Sequence, residues 1–145
     1  MKLIINNKKV NHDYFILDTY EAGIQLKGTE IKSIRLGKSN INDAYAKIKK
    51  GECILYNMHI SKYEMGNIFN HDERRDRKLL LHKKEILKLS NKLKLEESLT
   101  LIPTKLYFIG GLCKIEIALC KGKKLYDKRE DQKKKTQKEQ IKKYL

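Results

Sequence analysis

Aromatic and β-branched residues dominate Asp13–Leu26 (DYFILDTYEAGIQL), and this pattern predicts a strand. The Glu21-Ala22-Gly23 step interrupts it, with Gly23 expected at a bulge. Gly28-Thr29, then EIKSIR and Gly37, predict a short helix with Ile31 and Ile34 on its inner face. Thr29 is expected to cap this helix, Glu30 to complement its N-terminal dipole and Gly37 to end it. A hairpin follows: Ala44, Ala46 and Ile48 alternate, Lys49-Lys50-Gly51-Glu52 turns, and strand character resumes from Cys53 to Ile60.

Ser61–Asp76 is polar and predicts a long exposed loop, the kind of segment that often carries function. After the short run Leu79-Leu80-Leu81, Lys83–Leu95 predicts a helix with Ile86, Leu89 and Leu93 on one face. Leu99–Leu101 and Tyr107–Ile109 lead through Gly110-Gly111 to Lys114–Leu119, a second alternating hairpin. The pattern thus gives about six strands and two helices, with the helices inserted between strand pairs. Short strands, a small core and a basic surface point to a mainly β fold, a closed or nearly closed antiparallel barrel of the oligonucleotide-binding type.

Charge adds an appendage to this barrel. The chain has 145 residues and a net charge of +15. Lys121–Leu145 carries eleven Lys or Arg against four Asp or Glu, with few apolar residues to bury. Residues 1–120 are therefore expected to form the barrel, and 121–145 a basic tail, disordered when free, that seeks a polyanion. The body keeps 22 basic residues against 14 acidic ones, so nucleic acid or an anionic surface is the expected partner of the whole chain. Only five arginines occur, and Arg74, Arg75 and Arg77 lie within four residues. With Lys8 and Lys9 they are candidate phosphate contacts.

Other chemistry is thinner. The sequence holds no N-terminal apolar segment of the secretory kind and no run of 18 apolar residues, so neither secretion nor membrane spanning is expected. Cys53, Cys113 and Cys120 lack paired spacing and fall in apolar runs, so buried reduced thiols are expected, with no metal and no cofactor. His12, His59, His71 and His82, with Asp13 or Asp72, are the residue types of a nuclease, but nothing in their spacing makes them converge, and no enzyme activity is expected. In the tail, Tyr126 offers a stacking surface and Asp127 breaks the basic run. Glu130–Lys134 and Glu139–Lys143 are i, i+4 pairs that favour a helix on docking, although so short a helix is marginal in isolation.

Four long motifs occur in order: HDYFI…YEAGI.L.GTEIKSIR.GK.N..D.Y within Asn11–Tyr45, N.HIS.Y at Asn57–Tyr63, GN..NHD..R.RKLLLHK.EI at Gly66–Ile86, and TLIP.KLYF…K.EIAL.KGKK.YDKR at Thr100–Arg129. Together they make the chain resemble the SmpB family, the SsrA-binding proteins of bacteria. The resemblance implies a cytoplasmic, non-enzymatic adaptor of trans-translation, one protein per RNA. Its barrel would hold the tRNA-like domain of transfer-messenger RNA, while its tail enters the small-subunit decoding centre and message channel of stalled ribosomes. It implies that Asn7, Glu21, Leu80 and Lys114 contact the tRNA-like domain. The tail set is Lys121, Gly122, Lys123, Lys124, Tyr126, Asp127, Lys128 and Arg129.

The residues themselves leave alternatives. Glu21 could be a solvated strand-edge carboxylate or an acceptor for a base edge or 2′-hydroxyl. Alternation puts Leu79 and Leu81 on one face of their strand and Leu80 on the other, free to meet an unstacked base. A structural protein that binds ribosomal RNA alone is the rival to the adaptor. The chain departs from the family at Ser98 (usually Gly), Thr104 (usually Leu) and Cys120 (usually Ala), and its tail is expected to end early, soon after Ile141.

Overall fold

The computed structural model describes residues 1–66 and 70–123. In chain order the elements are β1 (Lys2–Asn6), α1 (Lys9–Asp13), β2 (Tyr14–Ile24), α2 (Gly28–Arg35), β3 (Ser39–Asn40) and β4 (Tyr45–Lys49). They continue with β5 (Glu52–Tyr56), β6 (His59–Ile60), β7 (Arg77–Leu80), α3 (Lys83–Leu95), β8 (Leu99–Ile109) and β9 (Leu112–Gly122). The strands β8-β4-β5-β7-β2-β9 pair in that order and β9 returns to β8, closing an antiparallel ring. The edge of β8 serves two partners: Leu101 pairs with Ala46 of β4, while Lys105–Phe108 pair with β1. This is the expected mainly β barrel with inserted helices.

Ring closure gives the apolar alternation a single inside. Ile34, Ile41, Leu55, Met58, Leu79, Leu89, Leu101, Leu106, Ile115 and Ile117 are all buried there. Helix α3 has the predicted bounds and contributes Leu89 to the core, with Leu93 packed beside it. In the β4–β5 turn, Lys50 and Gly51 have φ of 51° and 75°, the positive pair of a tight hairpin. Gly37 (φ 75°) ends α2, where its N–H and that of Lys38 bond back to Ile34 and Ser33. Gly37→Ala is expected to cost about 1 kcal/mol, read in a urea melt, because an L-residue is strained in that conformation.

Several local expectations are corrected. Strand β2 runs unbroken through Gly23, and its irregularity lies between Ile16 and Asp18. Thr29 does not cap α2. The Glu30 carboxylate instead reaches back to the Lys27 N–H at 2.8 Å, and the Thr29 hydroxyl bonds His71 Nδ1 at 2.9 Å. β5 stops at Tyr56 because Asn57 takes φ 65°; His59–Ile60 then pair with Ser39–Asn40 in a separate small sheet. β1 and α1 were not anticipated, and β9 continues two residues past the expected domain boundary. Cys53 and Cys120 are buried and Cys113 is half-buried; all three thiols are free, and burial pushes each up to about 11, which keeps them protonated.

Two family departures fit locally. The Thr104 hydroxyl donates to the Glu116 carbonyl at 3.3 Å beside the β8 bulge, and the Cys120 thiol donates to the Thr100 carbonyl at 3.5 Å.

Candidate nucleic-acid interface

Sheet register gathers chemistry on one outer face. One row crosses four strands: Tyr107 of β8 opposes Lys114 of β9, Lys114 opposes Gly23 of β2, and Gly23 opposes Leu80 of β7. The next row sets Lys105 against Glu116 and Glu116 against Glu21. Successive residues of a strand point to opposite faces, so Glu21 and Gly23 share a side, as do Lys114 and Glu116. Leu79 and Leu80 divide as alternation predicts: Leu79 is in the core and Leu80 is 49% exposed.

Glu21, Leu80 and Lys114 line one groove of about 430 Å³, together with Leu81 and His82 just before α3 and Glu85 in its first turn. An adjoining cleft of about 270 Å³ shares Leu80 and Lys114 and is walled by Ile24, Leu26, Ile31 and Leu112. Gly23 makes room for the leucine, since a Cβ there would lie 3.3 Å from the Leu80 Cβ. The Glu21 carboxylate is not adrift. It accepts a hydrogen bond from the Tyr107 hydroxyl at 2.7 Å, and Lys105 lies 3.8 Å from Glu116 beside it. A fixed acceptor, an ammonium group and an exposed apolar shelf can meet a base edge or 2′-hydroxyl, a phosphate and a base face in turn.

The family model described as SmpB protein matches residues 4–145. The SsrA-binding protein of Carboxydothermus hydrogenoformans is 58% identical over 144 residues, which is 99% of this chain and 96% of that protein. The SsrA-binding protein of Bacillus pumilus is 59% identical over 140 residues, 97% of this chain and 89% of that one. A solved chain from "tmRNA-SmpB: a journey to the center of the bacterial ribosome" aligns with a TM-score of 0.70 at 46% identity, covering 86% of this chain and 87% of that one. The chain belongs to the SmpB family.

In this SmpB-family barrel the remaining candidates fall elsewhere. Asn7 is buried, its N–H bonded to the Thr104 carbonyl at 2.7 Å, and it lines a second groove with Lys9, Tyr14, Asn42 and Tyr45 that shares no residue with the first. Lys8 is exposed just before α1. Lys121 and Gly122 belong to β9; Lys121 pairs with Glu96 at 3.3 Å. The Lys123 N–H donates to the Asp13 carbonyl at 2.8 Å, and its ammonium lies 4.9 Å from the centre of the Phe15 ring. Lys124, Tyr126, Asp127, Lys128 and Arg129 lie outside the described residues.

The arginine cluster is the main correction. Arg77 is wholly buried: its Nε donates to Glu30, and its Nη1 donates to the Met58 carbonyl at 2.8 Å. It cannot face a phosphate. Arg75 is largely committed as well, with Nη2 2.6 Å from the other Glu30 oxygen. Arg74 alone stays exposed, held on Asn57 Oδ1 at 2.9 Å. Glu30 thus anchors α2 to the loop and to β7, a role far larger than complementing a helix dipole. Burial pushes its carboxyl up, but the bonds from Arg75, the Lys27 N–H and Arg77 prevail and hold it below the ordinary glutamate value.

The histidines do not form a set. His71 is buried between the Thr29 hydroxyl and the Ile60 carbonyl, an acceptor that requires a proton on Nε2. His59 pairs with Glu73 and His12 with Asp13, while His82 opens α3. Among the described residues no three His, Cys, Asp or Glu come together as metal ligands, and no helix is long and apolar enough to cross a membrane. Gly23 and Tyr107 are the site residues that sequence reasoning missed. A glycine inside a strand signals close approach as well as a bulge, so Gly23 was findable. Tyr107 falls in the KLYF motif, but nothing in the sequence ties it to Glu21, 86 residues away.

Proposed function

We propose that this chain is an RNA-binding adaptor of trans-translation, without enzymatic activity, that works in the cytoplasm. Its barrel holds the tRNA-like domain of transfer-messenger RNA, and its basic C-terminal segment, residues 121–145, acts at the decoding centre and message channel of stalled ribosomes. One protein serves one RNA. The observation that carries this reading is the meeting of Glu21, Leu80 and Lys114 on a single outer face in a chain of the SmpB family. Shape and phosphate contacts supply most of the affinity for folded RNA, and such a face adds a few directed contacts. Glu21 would otherwise repel the RNA backbone, so a carboxylate here is useful only where it accepts a specific proton.

Binding of an isolated tRNA-like domain, measured by gel shift beside ribosomal RNA fragments at matched salt, tests the reading. The tRNA-like domain is expected to bind much more tightly, and Glu21→Ala to weaken that complex roughly 10- to 100-fold, the worth of one hydrogen bond to a charged group. The loss should be confined to the cognate RNA. Comparable affinities for both RNAs would replace the adaptor by a structural ribosomal RNA-binding protein.

A further inference from the structure

Tyr107 occupies an unusual position for a buried aromatic residue. It faces outward from β8, away from the core that Leu106 and Phe108 join, yet is only 4% exposed. Strand β9 separates it from β2, and the phenol spans that strand to reach the Glu21 Oε2 at 2.7 Å. A covered tyrosine needs a partner for its hydroxyl, and here the partner is the groove carboxylate.

The surrounding charges explain why that carboxylate needs holding. Glu116 sits directly opposite Glu21 on β9, and like charges at such a pair repel. Glutamate also has three rotatable bonds, so an untethered Glu21 would swing away from Glu116 and sample many directions. Lys105 draws the Glu116 carboxylate toward β8, while Tyr107 fixes that of Glu21. Burial, followed by the bond to Glu21, pushes the Tyr107 phenol well above its ordinary value, so it remains an O–H donor under physiological conditions.

We propose that Tyr107 is a positioning residue for RNA recognition: its hydroxyl locks Oε2 of Glu21, so that the carboxylate meets the RNA in one orientation with Oε1 open to a base N–H or a 2′-hydroxyl. This rests on the reading of the Glu21 face given above. Tyr107 itself, being covered, touches no RNA. A preset acceptor loses less freedom on binding and discriminates against donors placed elsewhere.

A double-mutant cycle on the full chain separates the two ideas. Wild type, Glu21→Ala, Tyr107→Phe and the double variant are titrated with a transcribed tRNA-like domain at fixed salt, and the melting temperature of each protein is recorded. Tyr107→Phe keeps the ring and is expected to weaken binding roughly three- to tenfold, part of the worth of the Glu21 contact. In the Glu21→Ala background the same change should have no further effect, a coupling that a merely structural tyrosine does not show. The salt dependence of Tyr107→Phe should match wild type, because no phosphate contact is removed. Should the Phe variant melt well below wild type, the four titrations are repeated at a temperature where every protein is folded, and the same coupling decides.

Wild-type binding by Tyr107→Phe, or a loss that persists undiminished without Glu21, would overturn the positioning role while leaving the Glu21 face standing. Wild-type binding by Glu21→Ala would instead remove the reading of the face, and the role of Tyr107 with it.

Discussion

Glu30→Ala is expected to destabilise the barrel by about 3–5 kcal/mol, because it leaves the guanidinium of Arg77 buried without a counter-charge. Glu30 and Arg77 have fully buried side chains, so water cannot take the missing partner's place. The loss also frees Arg75 and the Lys27 N–H, and so unties α2 from the polar loop and β7 at once. Thermal unfolding should fall by well over 5 °C for a body of this size. Replacing both charges, as Glu30→Leu with Arg77→Met, should cost less than the single change, since buried ion pairs are weak stabilisers and broken ones strong destabilisers. A single variant within 1 kcal/mol of wild type would refute the anchoring role.

The same carboxylate fixes part of the acid response. Its folded value is depressed, so its contribution is fully present above the unfolded value of about 4.3 and is lost as pH falls through the lower folded one. Below about pH 4.3, wild-type stability should therefore drop more steeply with pH than that of Glu30→Gln, a difference read from urea midpoints at each pH.

Asp127→Ala combined with Lys128→Ala should abolish tagging of stalled nascent chains while changing affinity for the tRNA-like domain by less than about threefold, as expected for sites with no shared partners. The separation follows from the length of β9. Lys114 is near the start of β9 and Lys121 near its end, roughly 20 Å apart at the rise of an extended strand. Lys123, the last described residue, thus lies beside Asp13 and Phe15, far from the Glu21 groove. A ribosome-rescue assay alongside a filter-binding titration checks both halves. A hundredfold loss of RNA affinity would show that the barrel and the C-terminal segment bind as one surface.

Much of this architecture was legible because it is written in periodicity. The bounds of α3, the turn at Lys50-Gly51 and the outward aim of Leu80 all follow from local pattern. Pairings distant in sequence were not legible. Arg75 and Arg77 looked like a surface cluster because the acid that claims them is 45 and 47 residues away. Thr29 looked like a cap because its true partner, His71, is 42 residues distant. Strand β1 escaped because Lys2–Asn6 is short and only half-covered at the edge of β8. Of the groove residues, alternation alone singled out Leu80. Glu21 and Lys114 needed the family motifs, and Tyr107 needed the closed barrel.

That closure has a consequence for synthesis. The groove takes its sheet side chains from β7, β2 and β9, and its ammonium group sits on β9, the last of the described strands. A chain cut before Lys114 therefore carries Glu21 and Leu80 but has no third strand to set them beside. Incomplete copies of this protein, such as a broken message yields, would keep their charge but lack the assembled groove, and so lose the directed contacts that finished ones make.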